Sequence, residues 1–390
     1  MPFAAALSTT EPTLRAAEEV CEQTRARLAG DVDLAVVFFS TPHARAADVL
    51  VRTVQEHLAP RCLLGCVAES VVGNDREIEQ EPAVSLWASH WARPIVMEPF
   101  HLVLERTPDG PTLFGWPDEL TGADAQQTAV LLLGDPFTFP IDLLLRRVNE
   151  DARGVRVLGG MASGIRAPGQ CRLLLGDAVK DQGAAGVLLR GPLGLRSIVS
   201  QGCRPIGRHL VITRAKDNII LELGGKTPLV QLQELWPTLT AEEQRLFQQG
   251  LHVGRVFNEY RGDFQRGDFL VRNVLALERE TGALAITDRV RVGQTVQFHV
   301  RDAATADEDL RAMLRLDLSA HDNKPAGALL FTCNGRGTRL FAEPHHDARV
   351  LRAETGDIPL AGFFAQGELG PIGGRNFIHG FTASVALFEE

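Results

Sequence analysis

Apolar residues along this chain come in short blocks separated by amphipathic stretches, the pattern of strands alternating with helices. A helix is predicted from Thr10 and Glu11 to about Leu28, with Leu14, Ala17, Cys21 and Leu28 on one face and Gly30 as its stop. The apolar run Asp33 to Ser40 predicts a buried strand. A helix from about His43 to Leu58 carries the stripe Ala47, Leu50, Val54 and Leu58, and Arg61 to Ala68 is a second apolar strand. A polar loop holds Asn74, Asp75, Arg76, Glu77 and Glu79, and further strands follow at Ala83 to Trp91 and at residues 95–104. The pattern then returns. Ala129 to Gly134 is a strand, Pro140 opens a helix from Ile141 to Glu150, and Val155 to Gly160 is the next strand.

Strand, helix, and strand ending in Gly-x-x-Ala-Glu or Ser thus occur twice, in GCVAESVVG and GGMASG. The C-terminal run gives a third version: strand 329–333, a helix, then 360–370 and 377–388. Repeats this long indicate duplicated layered units rather than a solenoid. Between the second and third versions the texture changes. Short helices are expected at Thr227 to Trp236 and from the capping box Thr240/Glu243 to about Gly250. Strands are expected at Asp268 to Glu278, Ala283 to Val290 and Thr295 to Asp302. The alternation of Val296, Phe298 and Val300 with polar residues predicts a sheet with one wet face. A helix with a second capping box, Thr305/Glu308, buries Leu310, Met313 and Leu314. The fold class read from this is mixed α/β, two layered domains with duplicated strand-helix-strand units. The divisions are an N-terminal helix at 1–29 and domains at 30–222 and 223–390.

Composition narrows the function classes. The 390 residues are 45% hydrophobic and 23% charged, as in ordinary globular chains. A net charge of −9 argues against a nucleic-acid partner held by a general basic field. Apolar runs fall short of the ~20 residues that span a bilayer, and the N-terminus lacks a signal-peptide pattern. The six cysteines are scattered without a CxxC pair, which reads as buried thiols in a reducing compartment. The expectation is a cytoplasmic protein without membrane insertion.

The segments LGCVAESVVG–REIEQEPAVSLWA, RVLGGMASG, GVLLRGPLGLRSIVSQGCRPIG, NIILELGGKTP, FLVRNVL and NGRGTRLF…DIPLAGFFAQGELGPIGGRNFIHGFTASVALF resemble the FIST family in its paired N- and C-terminal domains. The resemblance covers most of the chain after about residue 30. It implies a bacterial-like sensory domain in signal transduction that binds small ligands, with amino acids proposed. Some family members are haem proteins that sense nitric oxide, and others recruit proteins for ubiquitination. The sequence shows no output domain, so the resemblance implies a separate signalling or effector partner.

Candidate chemistry gathers at glycine-rich strand ends. In Cys333-Asn334-Gly335-Arg336-Gly337, successive N–H groups and a guanidinium can form an anion site suited to a carboxylate. The structural alternative pairs Arg336 with an acid such as Glu368. On the binding reading, Arg336→Ala weakens ligand binding and leaves folding intact. Gln366 and Glu368 can accept from a ligand ammonium, and Asn376 with His379 can complete a polar wall. Glu69, Arg76 and Glu77 are the corresponding polar cluster in the first half, where a structural ion pair of Glu69 with Arg76 is the competing reading. His345, His346 or His379 could ligate a non-covalently bound haem, since no CxxCH attachment exists. His345 and His346 lie in an expected exposed loop and point apart, so no metal site is assigned. Cys333 as a nucleophile with His379 as base is the enzyme alternative. The leading expectation is a ligand-binding sensor with no required cofactor. A haem sensor and a protein–protein adaptor are the other readings.

Overall fold

The computed structural model describes residues 1–108, 110–260, 264 and 267–390. Along the chain, β1 (Phe3–Ser8), α1 (Thr13–Arg27), β2 (Leu34–Ser40), α2 (Ala47–Leu58) and β3 (Cys62–Ala68) lead into β4 (Ser70–Gly73), β5 (Arg76–Glu79) and β6 (Val84–Ser89). Next come β7 (Val96–Thr107), β8 (Gly110–Phe114), β9 (Thr128–Gly134), α3 (Ile141–Asp151) and β10 (Arg156–Met161). Then follow β11 (Leu173–Leu175), β12 (Ala178–Lys180), β13 (Ala184–Arg190) and β14 (Leu195–Gln201). The middle of the chain supplies β15 (Cys203–Lys216), β16 (Ile219–Leu223), α4 (Pro228–Leu235), α5 (Ala241–Gln249), β17 (Leu251–Val256), β18 (Phe269–Leu277), β19 (Leu284–Ile286) and β20 (Thr295–Arg301). The chain ends with α6 (Ala303–Ala320), β21 (Gly327–Cys333), α7 (His346–Thr355), β22 (Leu360–Ala365), β23 (Glu368–Ile372), β24 (Arg375–His379) and β25 (Thr382–Phe388). The fold is mixed α/β. No helix among the described residues is long and apolar enough to cross a membrane.

Two compact units emerge. The layered unit comprises Met1–Val199, Leu310–Ile378 and Thr382–Glu390. The second comprises Ser200–Asp309 and His379–Phe381. Each unit is built from more than one stretch of the chain.

Three sheets build the layered unit, and each holds one parallel pair joined by a helix: β2–β3, β9–β10 and β21–β22. The sheet orders are β1-β6-β2-β3-β11-β12, β8-β7-β13-β9-β10-β23-β24 and β14-β25-β21-β22-β4-β5. They share one plan. The strand that follows each parallel pair leaves its own sheet and pairs antiparallel with the last parallel strand of another: β4 with β22, β11 with β3, and β23 with β10. Three copies of one unit therefore exchange hairpins in a ring. They begin at β1, β7 and β14. The segment between β14 and α6 holds most of the second unit, which also takes in the start of α6 and His379–Phe381.

Glycine at one equivalent position makes the parallel pairs close. Gly65, Gly159 and Gly362 face Val37, Leu132 and Leu330 across the pair. A Cβ on any of them would run into the backbone carbonyl of that neighbour. Aromatic packing ties the first and third sheets, with Phe38 stacked on Phe363 at 5.0 Å between centroids and set edge-on to Phe331 at 6.2 Å.

The second unit is a closed barrel in the order β15-β16-β19-β18-β17-β20. Ile206, Ile212, Ile220, Leu284, Val296, Phe298 and Val300 fill it, helped by Leu232 of α4 and Leu246 of α5. The Thr240/Glu243 capping box forms as expected. The wet face expected of β20 does not exist, because Gln297 and His299 are buried along with the apolar residues between them. Gln297 donates to Gly207 O at 2.8 Å, and the His299 ring lies over Gly254 and edge-on to Phe269.

Other local expectations shift. Leu14 is exposed, because α1 buries Ala16, Ala17, Val20, Cys21 and Thr24 instead. The polar stretch after residue 70 is the β4–β5 hairpin rather than a loop, turning at Asn74 with φ +55°. β1 precedes the first helix and pairs with β6, a strand that no pattern in the opening residues indicated.

Candidate functional site

The carboxyl ends of the parallel strands meet at one place. In open α/β sheets such ends are where ligands bind, because connections diverge there and leave a crevice. The three copies end in matching sequences, Gly65 to Glu69, Gly159 to Ser163 and Gly362 to Gln366, each Gly-x-x-Ala followed by a polar residue. Ser163 joins all three. Its N–H donates to Val67 O at 3.4 Å, and its Oγ accepts from the Glu69 N–H at 2.8 Å and donates to Phe364 O. Gly164 follows with φ +71°, and a Cβ there would press on Thr41 Oγ1 and the Glu69 backbone. Neither Ser163 nor Gly164 was singled out from the sequence. Aligning all three Gly-x-x-Ala ends would have found Ser163 and put Gln366 beside Glu69.

Around this junction opens a cleft of ≈ 610 Å³ whose lining includes Thr41, Glu69, Gln80, Gly164, Arg166, Gln170, Asn334 and Gln366. Its size falls within the range of small-molecule sites. Arg339 grips Glu69 bidentately, Nη2 donating to Oε1 at 2.6 Å and Nη1 to Oε2 at 3.0 Å. Arg339 Nη1 also donates to Asn334 O, and Gln80 Nε2 donates to Glu69 Oε1 at 3.2 Å. Arg166 is exposed and makes no ion pair among the described residues. Asn334 Oδ1 is buried and has no hydrogen-bond partner among the described residues. The cleft lining thus includes a carboxylate, a guanidinium and side-chain amides.

Of the residues singled out from sequence, Glu69, Asn334 and Gln366 line this cleft. Cys333 ends β21 beside it, half-buried, with the Gly335 N–H directed at its Sγ at 3.4 Å. The others lie elsewhere. Glu69 pairs with Arg339 rather than Arg76, which is exposed on β5, because the 3-10 turn after β21 carries Arg339 across to it.

Arg336 is sealed rather than presented to a ligand. It is fully buried, and its Nε and Nη2 donate to Asp347 Oδ2 and Oδ1, both at 2.7 Å. Its acid is therefore Asp347, not Glu368. Burial alone would raise the Asp347 carboxyl, but the Arg336 guanidinium outweighs it and holds the group well below the usual carboxylate range. Thr332 Oγ1 donates to Asp347 at 2.6 Å, and His346 bonds it at 2.9 Å while stacking on Phe341. Glu77 lies against the same cluster and accepts the Ala348 N–H at 2.9 Å. Burial and then the nearby Asp347 raise its carboxyl.

Glu368 is also fully buried, accepting from the N–H and Oγ1 of Thr382. Burial pushes it up to about 8, only partly offset by Thr382 and by a hydrogen bond from Cys333. Fully buried and outside the cleft lining, it is not presented to a ligand ammonium. Asn376 stitches the β23–β24 hairpin to β10, its Oδ1 accepting the Val157 N–H and its Nδ2 donating to Val155 O, both at 2.8 Å. His379 is buried and groups with the barrel residues.

His345 and His346 are not in an exposed loop. His345 precedes α7 with φ +67° and accepts the Glu77 N–H at Nδ1, and His346 opens the helix. The lining of the cleft includes no histidine, so it offers a haem iron no imidazole ligand.

The sequence was compared with known proteins. An uncharacterized protein of Mycobacterium tuberculosis is 43% identical over 391 residues, covering 100% of both chains. One of Mycobacterium bovis is 44% identical over 392 residues, covering 100% of this chain and 99% of its own. The FIST N domain matches residues 33–226 and the FIST C domain matches residues 229–371. FIST domains are associated with sensing in signal transduction. On these matches, which together span most of its length, the chain belongs to the FIST family.

Proposed function

We propose that this protein is a small-ligand sensor whose ligand is amino-acid-like and sits in the cleft at the carboxyl ends of the parallel strands. One observation carries the reading: the strand ends of all three copies meet at a single cleft, which Glu69 and Gln366 line directly and to which the chain after Ser163 brings Arg166, so that it bears both charge signs. A zwitterion is complementary to that lining. Its ammonium can approach Glu69, and its carboxylate can approach Arg166, with Gln80 and Gln366 as amide partners. Binding would favour one arrangement of the strand-end loops. A separate partner protein would read that arrangement, which requires the ligand to prefer it over the alternatives.

The test is calorimetric titration of the proteinogenic amino acids into the full chain and into Gln366→Ala. Saturable binding of at least one amino acid, weakened by Gln366→Ala, is the expected result. Heats of dilution alone across the whole series would overturn the reading.

A further inference from the structure

A second cleft, ≈ 630 Å³, lies at the opposite, amino ends of β9 and β10, with Gln126, Arg156, Arg196, Ser197 and Glu389 among its lining. The two arginines differ. Arg196 is almost fully buried and already neutralised, by Glu389 at 2.8 Å and Asp317 at 3.1 Å. Arg156 is half-buried and makes no ion pair among the described residues. Its Nη1 donates to Leu195 O, and its Nε is buried without a partner. Burial lowers its pKa, and no carboxylate offsets the effect. A desolvated guanidinium without a counter-charge is costly unless an anion completes it.

The scaffold itself does not call for a cation at this position. Arg156 stands three residues before Gly159. The residues three before Gly65 and Gly362, in the other two copies, are Cys62 and Pro359. Two copies therefore start the same strand without an arginine. Glycines also open this cleft, since Gly154, Gly194 and Gly374 leave its walls without side chains.

We propose that this cleft is a second ligand site, which binds a small oxyanion, a carboxylate or a phosphate, on Arg156 with Gln126 and Ser197 as further donors. The half-buried Arg156 guanidinium in the lining matches such an anion, and the charge lacking there is negative.

The experiment is calorimetric titration of sodium phosphate and of sodium citrate into the full chain, with sodium chloride as the ionic-strength control. Saturable binding of at least one anion is expected, and which anion binds separates the phosphate source from the carboxylate source. Arg156→Gln is expected to weaken it by about tenfold or more. Arg156→Gln also loses the bond to Leu195 O and can fail to fold. Ser197→Glu then serves, placing a carboxylate in the cleft while keeping Arg156, with the same weakening expected. Arg166→Ala, in the other cleft, is expected to leave anion binding unchanged, which separates this site from the proposed amino-acid site. No saturable binding of either anion, affinity unaltered in Ser197→Glu, or loss in Arg166→Ala would each overturn the proposal.

Discussion

Arg336 and Arg339 lie three residues apart on the same turn, and each grips a carboxylate with two hydrogen bonds, yet their surroundings are opposite. The Arg336–Asp347 pair is sealed, with side chains 0% and 1% exposed, whereas the Arg339–Glu69 pair is 44% and 26% exposed and borders the cleft. Chemistry and spacing are nearly the same, so burial decides which arginine is scaffold and which is available to a ligand. A sealed pair is expensive to break because the surviving charge stays desolvated. An open pair can exchange one partner for a ligand at little cost.

The sharpest way to break this comparison is to remove one member of the sealed pair. Asp347→Asn is expected to cost about 3–5 kcal/mol, since it strands Arg336. Denaturant unfolding of the variant against the wild type measures this, and a loss below about 1 kcal/mol would mean the pair is not sealed in solution.

A second test uses Glu368, beneath the same loops. Its folded pKa of about 8 lies above the ordinary 4.5. The folded state therefore holds the proton more tightly than the unfolded state does. The stability this contributes is full below pH 4.5 and is lost as pH rises through 8. Glu368→Gln keeps the neutral form. Relative to wild type, it is expected to gain a few kcal/mol between pH 5 and pH 9, read from unfolding midpoints at the two values. An unchanged difference would show that Glu368 is ionised at neutral pH.

Ser163→Ala probes the junction between the copies. It leaves the Glu69 N–H without its acceptor and the buried Phe364 O without the Ser163 donor, and is expected to cost about 1–3 kcal/mol. Thermal unfolding monitored by circular dichroism reads the loss, and a neutral result would show that the three ends do not depend on that hydroxyl. The smallest stability effect is expected at the open pair, where Glu69→Gln should change stability by about 1 kcal/mol or less.

Much of this was legible in the chain. The apolar runs at 33–40, 61–68, 129–134, 155–160, 329–333 and 360–364 are strands because each is buried on both faces, and such strands announce themselves by composition alone. The exchange of hairpins was not legible. β5 reads REIE and β12 reads AVK, segments too short to signal a strand, and each is the outer strand of a hairpin whose other strand, β4 or β11, pairs with a strand of another copy. The barrel's closure was equally hidden, since buried Gln297 and His299 mimic a solvated face.

At the site, Glu69, Asn334 and Gln366 could be found because polar residues follow apolar strands at glycines. Their partners could not. Arg339 and Glu69 are 270 positions apart, and nothing local in the sequence couples them. Arg336 misled for the converse reason: a guanidinium between two glycines looks like an anion site. Asp347, eleven positions on, fills it only once the turn and α7 fold back.

The most direct measurement is the thermal shift produced by proteinogenic amino acids in the wild type and in Glu69→Gln, with Asp347→Asn as the structural control. The account predicts that at least one amino acid raises the wild-type melting temperature in a concentration-dependent way, as ligands specific to the native state do. It predicts that Glu69→Gln loses that rise while its ligand-free melting temperature stays near wild type, and that Asp347→Asn melts much earlier. A rise that persists undiminished in Glu69→Gln, or a ligand-free Glu69→Gln as unstable as Asp347→Asn, would contradict the division between the open pair and the sealed one.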